Sequence, residues 1–381
     1  HLKTITRKSA NPQKRKGKLL HLNINLDWLS AKGLPIIGLD ISTTAVKLVE
    51  LSDAGKGMLR VERYVIEPLP KDAVTDGNIA NLDQVADTLR TAWKNLGTRV
   101  KNVALALPSS AVITKKILAP ATLKGVDLEN QVETEANQVI PFSLDEVNLD
   151  FQVLGPSPGS PDDVQILLAA ARKEKVEDRV AAVEAAGLRA LIMDVETYAT
   201  QTAYEQIAHL LPSSGAGLTV AIIDVGAQNM HINVLHDNDS VYLREHGFGG
   251  NQLNNEISRR YGMTSEEAEN AKRKGTLPES YDMEVLQPYS ETLAMEIGRA
   301  LQLFTTSTQY RKVDQILLAG GGAMIPGIDD VVAQRTGTST MVVNPFANMA
   351  VGSKIRPQAL TADAPSLFVA CGLAMRRFDP Q

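Results

Sequence analysis

The sequence predicts an α/β protein of two lobes with related design, the first of which carries an inserted β-α-β-β-α-β module. Three observations predict this fold. Strands and amphipathic helices alternate along the chain, as they do in α/β proteins. A strand–turn–strand segment with an aspartate at the end of its first strand occurs twice, at 36–51 and at 218–235. A buried strand then runs into three glycines at 320–322.

The composition is that of an ordinary globular protein. Of 381 residues, 44% are hydrophobic and 22% are charged, and the net charge of −5 gives no global basic field for nucleic acid. The single Cys371 excludes an internal disulfide and is typical of a reducing compartment. No apolar run approaches the roughly 20 residues that cross a bilayer. We therefore expect a cytoplasmic protein that reaches a membrane only through partners.

Residues 1–33 differ from the rest of the chain. They contain eight lysines and arginines but only one acid, Asp27. No apolar segment of the kind found in secretory signals follows the basic residues. We expect this stretch to be a basic, flexible N-terminal extension.

The first lobe begins with a predicted hairpin. Its strands, 36–41 and 45–51, are rich in β-branched residues and flank a turn of three hydroxyl residues. A strand at 59–66, an amphipathic helix that ends near Gly97 and a short apolar strand at 103–107 follow. We assign 34–112 to the core of lobe I.

The inserted module is predicted from the next six elements. They are strands at 112–118, 147–154, 164–171 and 190–195, and helices at 123–140 and 174–186. We assign 113–191 to an interaction subdomain, because no paired catalytic groups stand out in it. Its helices carry mixed charges, Arg179 among them, which usually mark a solvated face. The chain returns to lobe I over 192–216.

The second lobe repeats the first hairpin, with Asp224 in the place of Asp40. Gly249 and Gly250 follow its third strand and would let the backbone approach a ligand closely. A long helix runs from about 282 to 308, which Pro288 should kink or begin. The predicted parts are a core at 217–247, an outer subdomain at 248–300, more core at 301–350 and a return to lobe I at 351–381.

These segments predict a phosphate-binding function. Backbone N–H groups of a tight turn can bind phosphate oxygens, while a nearby carboxylate orients a metal-bound water. Two such hairpins could clamp a polyphosphate with its Mg²⁺, and the three glycines allow close approach to an adenosine. Neither the dinucleotide-binding fingerprint nor the P-loop pattern is present.

The ordered set of two aspartate hairpins and a strand into Gly-Gly-Gly resembles the actin-like ATPase superfamily, which has a ribonuclease-H-like fold and includes the division protein FtsA. The inserted module lies where FtsA-like members carry their extra subdomain. Four segments resemble more narrowly the PilM family of type IV pilus assembly proteins. They are Gly38 to Lys47, Glu135 to Phe142, Asn344 to Met349 and Ala370 to Arg376.

The resemblance implies binding of Mg-ATP by residues of both lobes. Asp40 and Asp224 would hold Mg²⁺ through water. The residues that would bind phosphates are Ser42, Thr43, Thr44 and Lys47 in the first lobe and Gly226, Ala227 and Gln228 in the second. Those that would approach the adenosine are Gly320, Gly321 and Gly322, with Glu256 and Lys272 at the adenine and ribose. Glu196 lies where relatives place a water-activating residue. Glu196, Glu256 and Lys272 are equally explained as ordinary helix charges.

One position departs from the family pattern. The second hairpin of the family has a hydroxyl residue near its close, where this chain has Met230. Positioning the attacking water is a demand of the transition state, so hydrolysis should suffer more than binding. We expect ATP to be bound and hydrolysed weakly or not at all.

The resemblance also implies partners. A PilM-like scaffold would bind the cytoplasmic N-terminal tail of the inner-membrane protein PilN, join it to the pilus motor and platform proteins, and could self-associate. Residues 24–28 are similar to the PilN tail signature, which suggests a docked mimic. Two alternatives are an FtsA-like filament-forming division protein, which usually has a C-terminal amphipathic membrane helix, and a small-molecule kinase. A kinase needs a catalytic base, and no additional carboxylate marks one.

Overall fold

The computed structural model describes residues 34–157 and 159–379, which form two compact units. The first unit contains the chain up to 52, 63–199 and 372 onward, and the second contains 53–62 and 200–371. The predicted basic extension at 1–33 and the PilN-like segment at 24–28 lie outside the described residues.

A mixed sheet forms the centre of the first unit. The strands in this part of the chain are β1 (Ile37–Ile41), β2 (Ala45–Gly55), β3 (Met58–Pro68), β4 (Val74–Thr75), β5 (Asn78–Ile79), β6 (Asn102–Leu107), β7 (Val112–Pro120), β8 (Val147–Ser157), β9 (Ser160–Arg172) and β10 (Arg189–Val195). The sheet has six strands in the order β10-β6-β1-β2-β3-β16, where β16 (Ala350–Val351) pairs with Arg60 and Val61 of β3, which belong to the second unit. β2 is antiparallel to β1, whereas β6 and β10 continue in parallel on the other side.

Within the described residues, four helices begin in the first unit: α1 (Leu82–Leu96), α2 (Val126–Val139), α3 (Lys173–Ala185) and α4 (Glu196–Ile207). The α1 helix begins where the Asn81 side chain accepts a hydrogen bond from the Gln84 amide, 3.1 Å long. It ends at Gly97, whose φ of 67° favours glycine. Its apolar face, which includes Val85 and Leu89, is buried in the core of the unit. The predicted helix end at Gly97 is confirmed.

The inserted module forms a sheet of its own. Its three antiparallel strands lie in the order β7-β9-β8, and α2 packs its Val132 and Ala136 onto one face. All six predicted elements occur in the predicted order. However, β10 pairs in parallel with β6, and α3 packs into the core of the central sheet. The separate sheet therefore ends at Arg172, while the predicted boundary at 191 stays a prediction.

The second unit has the same sheet design. Its strands are β11 (Thr219–Val225), β12 (Met230–His236), β13 (Asp239–His246), β14 (Gln315–Ala319), β15 (Ser339–Val342) and β16 (Ala350–Val351). The sheet runs in the order β13-β12-β11-β14-β15, and again the second strand is antiparallel to the first while the next two run parallel to it. Apart from β16, the two sheets have the same design. If the strands of each sheet are numbered along the chain, they lie in the order third, second, first, fourth and fifth, which confirms the internal repeat.

Six helices complete the second unit or cross its end: α5 (Gly250–Tyr261), α6 (Ser265–Lys274), α7 (Gln287–Ser307), α8 (Ile328–Thr336), α9 (Pro357–Asp363) and α10 (Phe368–Met375). A π-helical turn at 282–286 leads into α7, and Pro288 lies in the first turn of that helix. Proline is tolerated there because the first amides of a helix have no intrahelical acceptor. Pro288 therefore marks the beginning of the helix. Within the described ranges, none of the helices combines the length and the apolar character needed to cross a membrane.

Candidate functional site

The first hairpin buries Asp40 one residue before the end of β1. Asp40 is only 6% exposed, and the strand register places Lys47 directly opposite it. The Lys47 Nζ lies 2.8 Å from Oδ2 of Asp40. A buried carboxylate needs such a partner, because desolvation of an unpaired charge is unfavourable. The structure therefore brings together two of the predicted site residues as an ion pair.

The turn after β1 contains the three predicted hydroxyl residues. The Ser42 hydroxyl donates to the Ala45 carbonyl at 2.9 Å, so it is used by the turn itself. The Ser42 amide also donates to this carbonyl, at 3.0 Å. Thr43 is half-buried and Thr44 is exposed. The two threonines are thus the turn residues that remain open to a ligand.

The second hairpin repeats the first residue by residue. Asp224 is paired with His231 just as Asp40 is paired with Lys47, and both aspartates are the penultimate residues of their strands. The Gly226 amide donates to the Asn229 carbonyl at 3.0 Å and closes this turn. His231 therefore takes the position of the first hairpin's lysine.

The structure corrects the interpretation of Met230. Its side chain is fully buried, and it is paired with Val225 as Val46 is paired with Ile41 in the first hairpin. Side chains alternate between the faces of a strand, so Met230 lies on the opposite face from that of Asp224. Position 230 is a core position in this hairpin. Weak hydrolysis therefore does not rest on this position, and it stays a prediction of the scaffold role.

The glycines after β13 approach the second turn. A Cβ on Gly249 would lie 2.5 Å from the Gly226 carbonyl oxygen and 2.6 Å from that of Ala227. The amides of Gly250 and Asn251 donate to these same carbonyls at 2.9 and 2.8 Å. Gly249 is therefore required for backbone packing on the turn. The contact explains the glycine without a ligand, and close approach of a ligand here stays a prediction.

Two of the three glycines after β14 pack against the end of β11. A Cβ on Gly320, whose φ is +83°, would lie 2.3 Å from Oδ1 of Asp224. A Cβ on Gly322 would lie 2.3 Å from a methyl of Val225. Gly321 is exposed and would meet nothing within 4 Å. Of the three, Gly321 alone faces open space, and its contact with an adenosine stays a prediction.

Gly320→Ala is expected to destabilise the protein by about 2 kcal/mol or more, since the left-handed conformation is strained for alanine and the new methyl collides with Asp224. Gly321→Ala is the matched control and should keep the wild-type free energy of unfolding. Urea unfolding of both variants measures the difference. Equal stability of the two variants would contradict the described packing.

Glu256 and Lys272 lie in charged contacts of the outer helices. Glu256 on α5 pairs with Arg259 one turn later. On α6, the Lys272 Nζ lies 2.7 Å from Oε2 of Glu269 and donates to Oδ1 of Asn254 at 2.8 Å. Burial raises the pKa of Glu269, but hydrogen bonds from Lys272 and Asn254 outweigh it and leave that pKa below its ordinary value. These contacts explain both residues without a ligand, and their adenine and ribose contacts stay predictions.

Glu196 is the first residue of α4 and directly follows β10. The next residue, Thr197, is buried, and its Oγ1 lies 2.5 Å from Oγ of Ser109, just beyond the end of β6. β6 is the parallel neighbour of both β1 and β10. Asp40 and Glu196 therefore lie at the carboxyl ends of strands on either side of β6.

Sequence reasoning missed Arg179 on α3. It was assigned to a solvated face, but it is only 3% exposed. Burial lowers the pKa of its guanidinium, whereas the negative charges of Glu196, Asp40 and Asp178 raise it. The signal was present in the sequence, because Val176, Arg179 and Val183 recur at helical spacing on the buried face.

A second buried charge cluster joins β8, β10 and the C-terminal segment of the first unit. The Arg376 Nε lies 3.4 Å from Oδ2 of Asp194 and 3.1 Å from Oδ2 of Asp379. Asp150 on β8 also interacts electrostatically with Arg376. Burial raises the pKa values of Asp194 and Asp379, and raises that of Asp150 to about 6. The positive charge of the Arg376 guanidinium thus interacts with all three carboxylates.

The raised pKa of Asp150 predicts a pH dependence of stability. Between its ordinary pKa of 3.8 and about 6 the folded state binds more protons than the unfolded state. Its contribution to stability therefore falls as the pH rises through this range and is constant above it. Asp150→Asn should gain stability relative to the wild type between pH 4 and pH 7, as followed by urea unfolding. The exposed Asp145→Asn is the control, and equal shifts in both variants would contradict the prediction.

The chain matches a known protein family over nearly its whole length. A family model described as type IV pilus assembly protein PilM matches residues 38–378. The chain belongs to this family. A solved PilM-PilN type IV pilus biogenesis complex is similar to it, with a TM-score of 0.75 and 27% identity over 91% of this chain and 99% of that one.

A more distant structure shows the fold alone. Ethanolamine utilization protein EutJ from Carboxydothermus hydrogenoformans matches with a TM-score of 0.53 and 16% identity, over 91% of this chain and 93% of that one. Together with the two ribonuclease-H-like sheets, these matches confirm the predicted actin-like α/β fold. This PilM family member is thus a type IV pilus assembly protein with an actin-like fold.

Proposed function

We propose that this chain is an ATP-binding scaffold of the type IV pilus that binds the cytoplasmic N-terminal tail of a PilN-type membrane protein and links it to the assembly motor. The observation that carries nucleotide binding is the repeated hairpin. Two aspartates occupy the same register position in two sheets of the same strand order. A duplicated structure of this kind, with a tight turn after each aspartate, is suited to bind a polyphosphate.

The donor groups fit Mg²⁺ held through water. Asp40 and Asp224 supply carboxylate oxygens, the ligands that Mg²⁺ prefers while it retains several waters. Within the described residues, no three His, Cys, Asp or Glu side chains cluster as direct metal ligands. The ion, when bound, would neutralise phosphate charge. Thr43, Thr44 and Lys47 are the proposed phosphate contacts of the first unit.

Ala227 and Gln228 are the proposed phosphate contacts of the second unit, because the Gly226 amide, like that of Ser42, already donates within its turn. Gly321 is the proposed point of approach for the adenosine. Glu196 is the candidate for orienting a water, since it lies at the end of β10. The proposed role requires binding of ATP and does not require its turnover.

Titration calorimetry with Mg-ATP, combined with phosphate release, tests the nucleotide proposal. We expect saturable binding at one site and no steady multiple turnover. Gly321→Ala should weaken the binding without changing the melting temperature, since its methyl would meet the ligand and no protein atom. Absence of binding would overturn the nucleotide proposal, and steady turnover would overturn the scaffold role.

The inserted sheet is the proposed surface for the PilN tail. Three large apolar side chains of this sheet are exposed, Leu118 on β7 and Val153 and Leu154 on β8, as is Val126 at the start of α2. Its two outer strands, β7 and β8, each pair on one side only within the described residues. An extended tail with alternating apolar residues could pair with the β8 edge and cover Val153 and Leu154. The solved PilM-PilN complex of a similar protein supports PilN as the partner.

Fluorescence anisotropy with a labelled PilN tail peptide tests the partner proposal. The double variant Val153→Ser/Leu154→Ser should weaken binding at least about tenfold, because two apolar contacts on the β8 edge are lost. Leu210→Ser is the matched control, since this leucine is similarly exposed but lies in the second unit. No binding of the peptide to the wild type would overturn the pilus partner assignment.

A further inference from the structure

Arg179 lies at the strand ends that carry Asp40 and Glu196. In the central sheet of the first unit, Leu39 is paired with Leu105 and Val195 with Leu107. Asp40 and Glu196 each follow directly after one of these pairs. The end of β6 therefore lies between the two acids in the sheet.

A chain of contacts connects Arg179 to the end of β6. Its Nη2 donates to the Gly77 carbonyl at 2.8 Å. Gly77 in turn packs on Pro108, because an added Cβ would lie 3.0 Å from the Pro108 ring. Arg179, Gly77, Leu107 and Pro108 line one small cavity of about 10 Å³, which has room for roughly one water molecule.

The positive charge of Arg179 is opposed by the negative charges of three acids. Glu196, Asp40 and Asp178 all act on the guanidinium. A guanidinium that is almost fully buried needs such acids, because it has lost its hydration. Asp40 is also paired with Lys47, whose side chain is 15% exposed and lies at the surface end of the pair. Arg179 is thus the internal cation and Lys47 the external one.

We propose that Arg179 is a positioning residue of the nucleotide site, whose buried charge keeps Asp40 and Glu196 in place at the strand ends when Lys47 leaves Asp40 to contact a phosphate. The role of Arg179 in nucleotide binding rests on the proposed function. Its charge coupling with the two acids does not. Arg179 touches no substrate in this role. It acts through the two acids.

A double-mutant cycle in nucleotide-free protein measures the charge coupling. Arg179→Gln keeps an N–H donor and removes the charge, so it should lower the melting temperature by about 5–10 °C. In the Glu196→Gln background the same change should lower it by less than half as much, because the acid that needed the cation is gone. The exposed Arg189→Gln is the matched control and should show no coupling with Glu196→Gln.

Additive effects of Arg179→Gln and Glu196→Gln would overturn the proposal, since hydrogen bonding to Gly77 alone predicts additivity. If Arg179→Gln fails to fold, the double variant is expected to fold. A double variant that stays unfolded, while Glu196→Gln folds, would equally overturn it. Arg179→Lys keeps the cation and should retain wild-type coupling.

Calorimetry then separates this inference from the proposed function. Arg179→Gln should weaken Mg-ATP binding at least about tenfold, while Arg179→Lys should restore binding to within about threefold of the wild type. Wild-type protein that binds no Mg-ATP would overturn the nucleotide function and leave the measured coupling standing. Wild-type affinity in Arg179→Gln would overturn the role of Arg179 at the site.

Discussion

Gly372→Ala is expected to destabilise the first unit by at least about 3 kcal/mol. Gly372 lies in α10 against the backbone of α4, where an added Cβ would be 1.8 Å from the Ala199 carbonyl oxygen and 2.6 Å from its carbon. These atoms belong to a helix backbone and cannot rotate away as a side chain could. The two helices must move apart, and buried packing around Ala199 and Leu373 is lost with them.

Gly298→Ala on α7 is the matched control for this prediction. A Cβ there meets only a methyl of Thr336, at 3.9 Å, which is an ordinary contact. Alanine is favoured over glycine inside a helix by about 0.5–1 kcal/mol, so this variant should be slightly more stable than the wild type. Urea unfolding followed by circular dichroism compares the two. If Gly372→Ala unfolds at the wild-type urea concentration, the close helix contact is wrong.

Asp224→Asn is expected to weaken the binding of Mg-ATP by about 10- to 100-fold, the usual effect of removing an outer-sphere partner of a metal. The amide keeps the shape of the carboxylate and so preserves the contact with Gly320. It removes the charge that would orient the waters of Mg²⁺. Binding of ATP in the presence of a chelator should therefore change little. Calorimetric titrations with and without Mg²⁺ measure the two affinities.

Two comparisons make this experiment decisive. Asp40→Asn should also weaken Mg-ATP binding, because Asp40 occupies the equivalent position, but it also releases Lys47 and therefore changes binding without Mg²⁺. Asp239→Asn, at an exposed residue that begins β13, should bind as the wild type does. Equal weakening with and without Mg²⁺ would show that Asp224 acts on the nucleotide or on the fold and not through the ion.

The fold could be predicted because its signals are local. Both aspartate hairpins, the helix end at Gly97 and the strand before Gly320 are each encoded within fewer than about twenty consecutive residues. Turn residues and β-branched runs determine such segments by themselves. The repeat then supplied the sheet design, since two similar hairpins imply two similar lobes. The end of the inserted module is harder to predict from the sequence. The residues of β10 are compatible with either sheet, and only the long-range pairing with β6 decides between them.

The site was predicted less completely, for a physical reason. Which face of a strand is buried decides whether Met230 meets a ligand or the core, and that depends on a register set by the partner strand. Likewise, three consecutive glycines do not reveal which of them lie against Asp224 and Val225. The burial of Arg179 was not predicted, because arginines are usually exposed. Only its spacing from Val176 indicated otherwise.

The route of the chain between the units has a consequence for synthesis. The first unit is made of three separate segments, and its last segment contains Arg376, the cationic partner of the buried Asp194. Ribosomes add about 5–20 residues per second, so Arg376 emerges roughly 10–40 s after Asp194. During that interval folding of the first unit would bury Asp194 without its cationic partner, and the helix that carries Gly372 is still missing. Its folding therefore waits for the second unit to be translated.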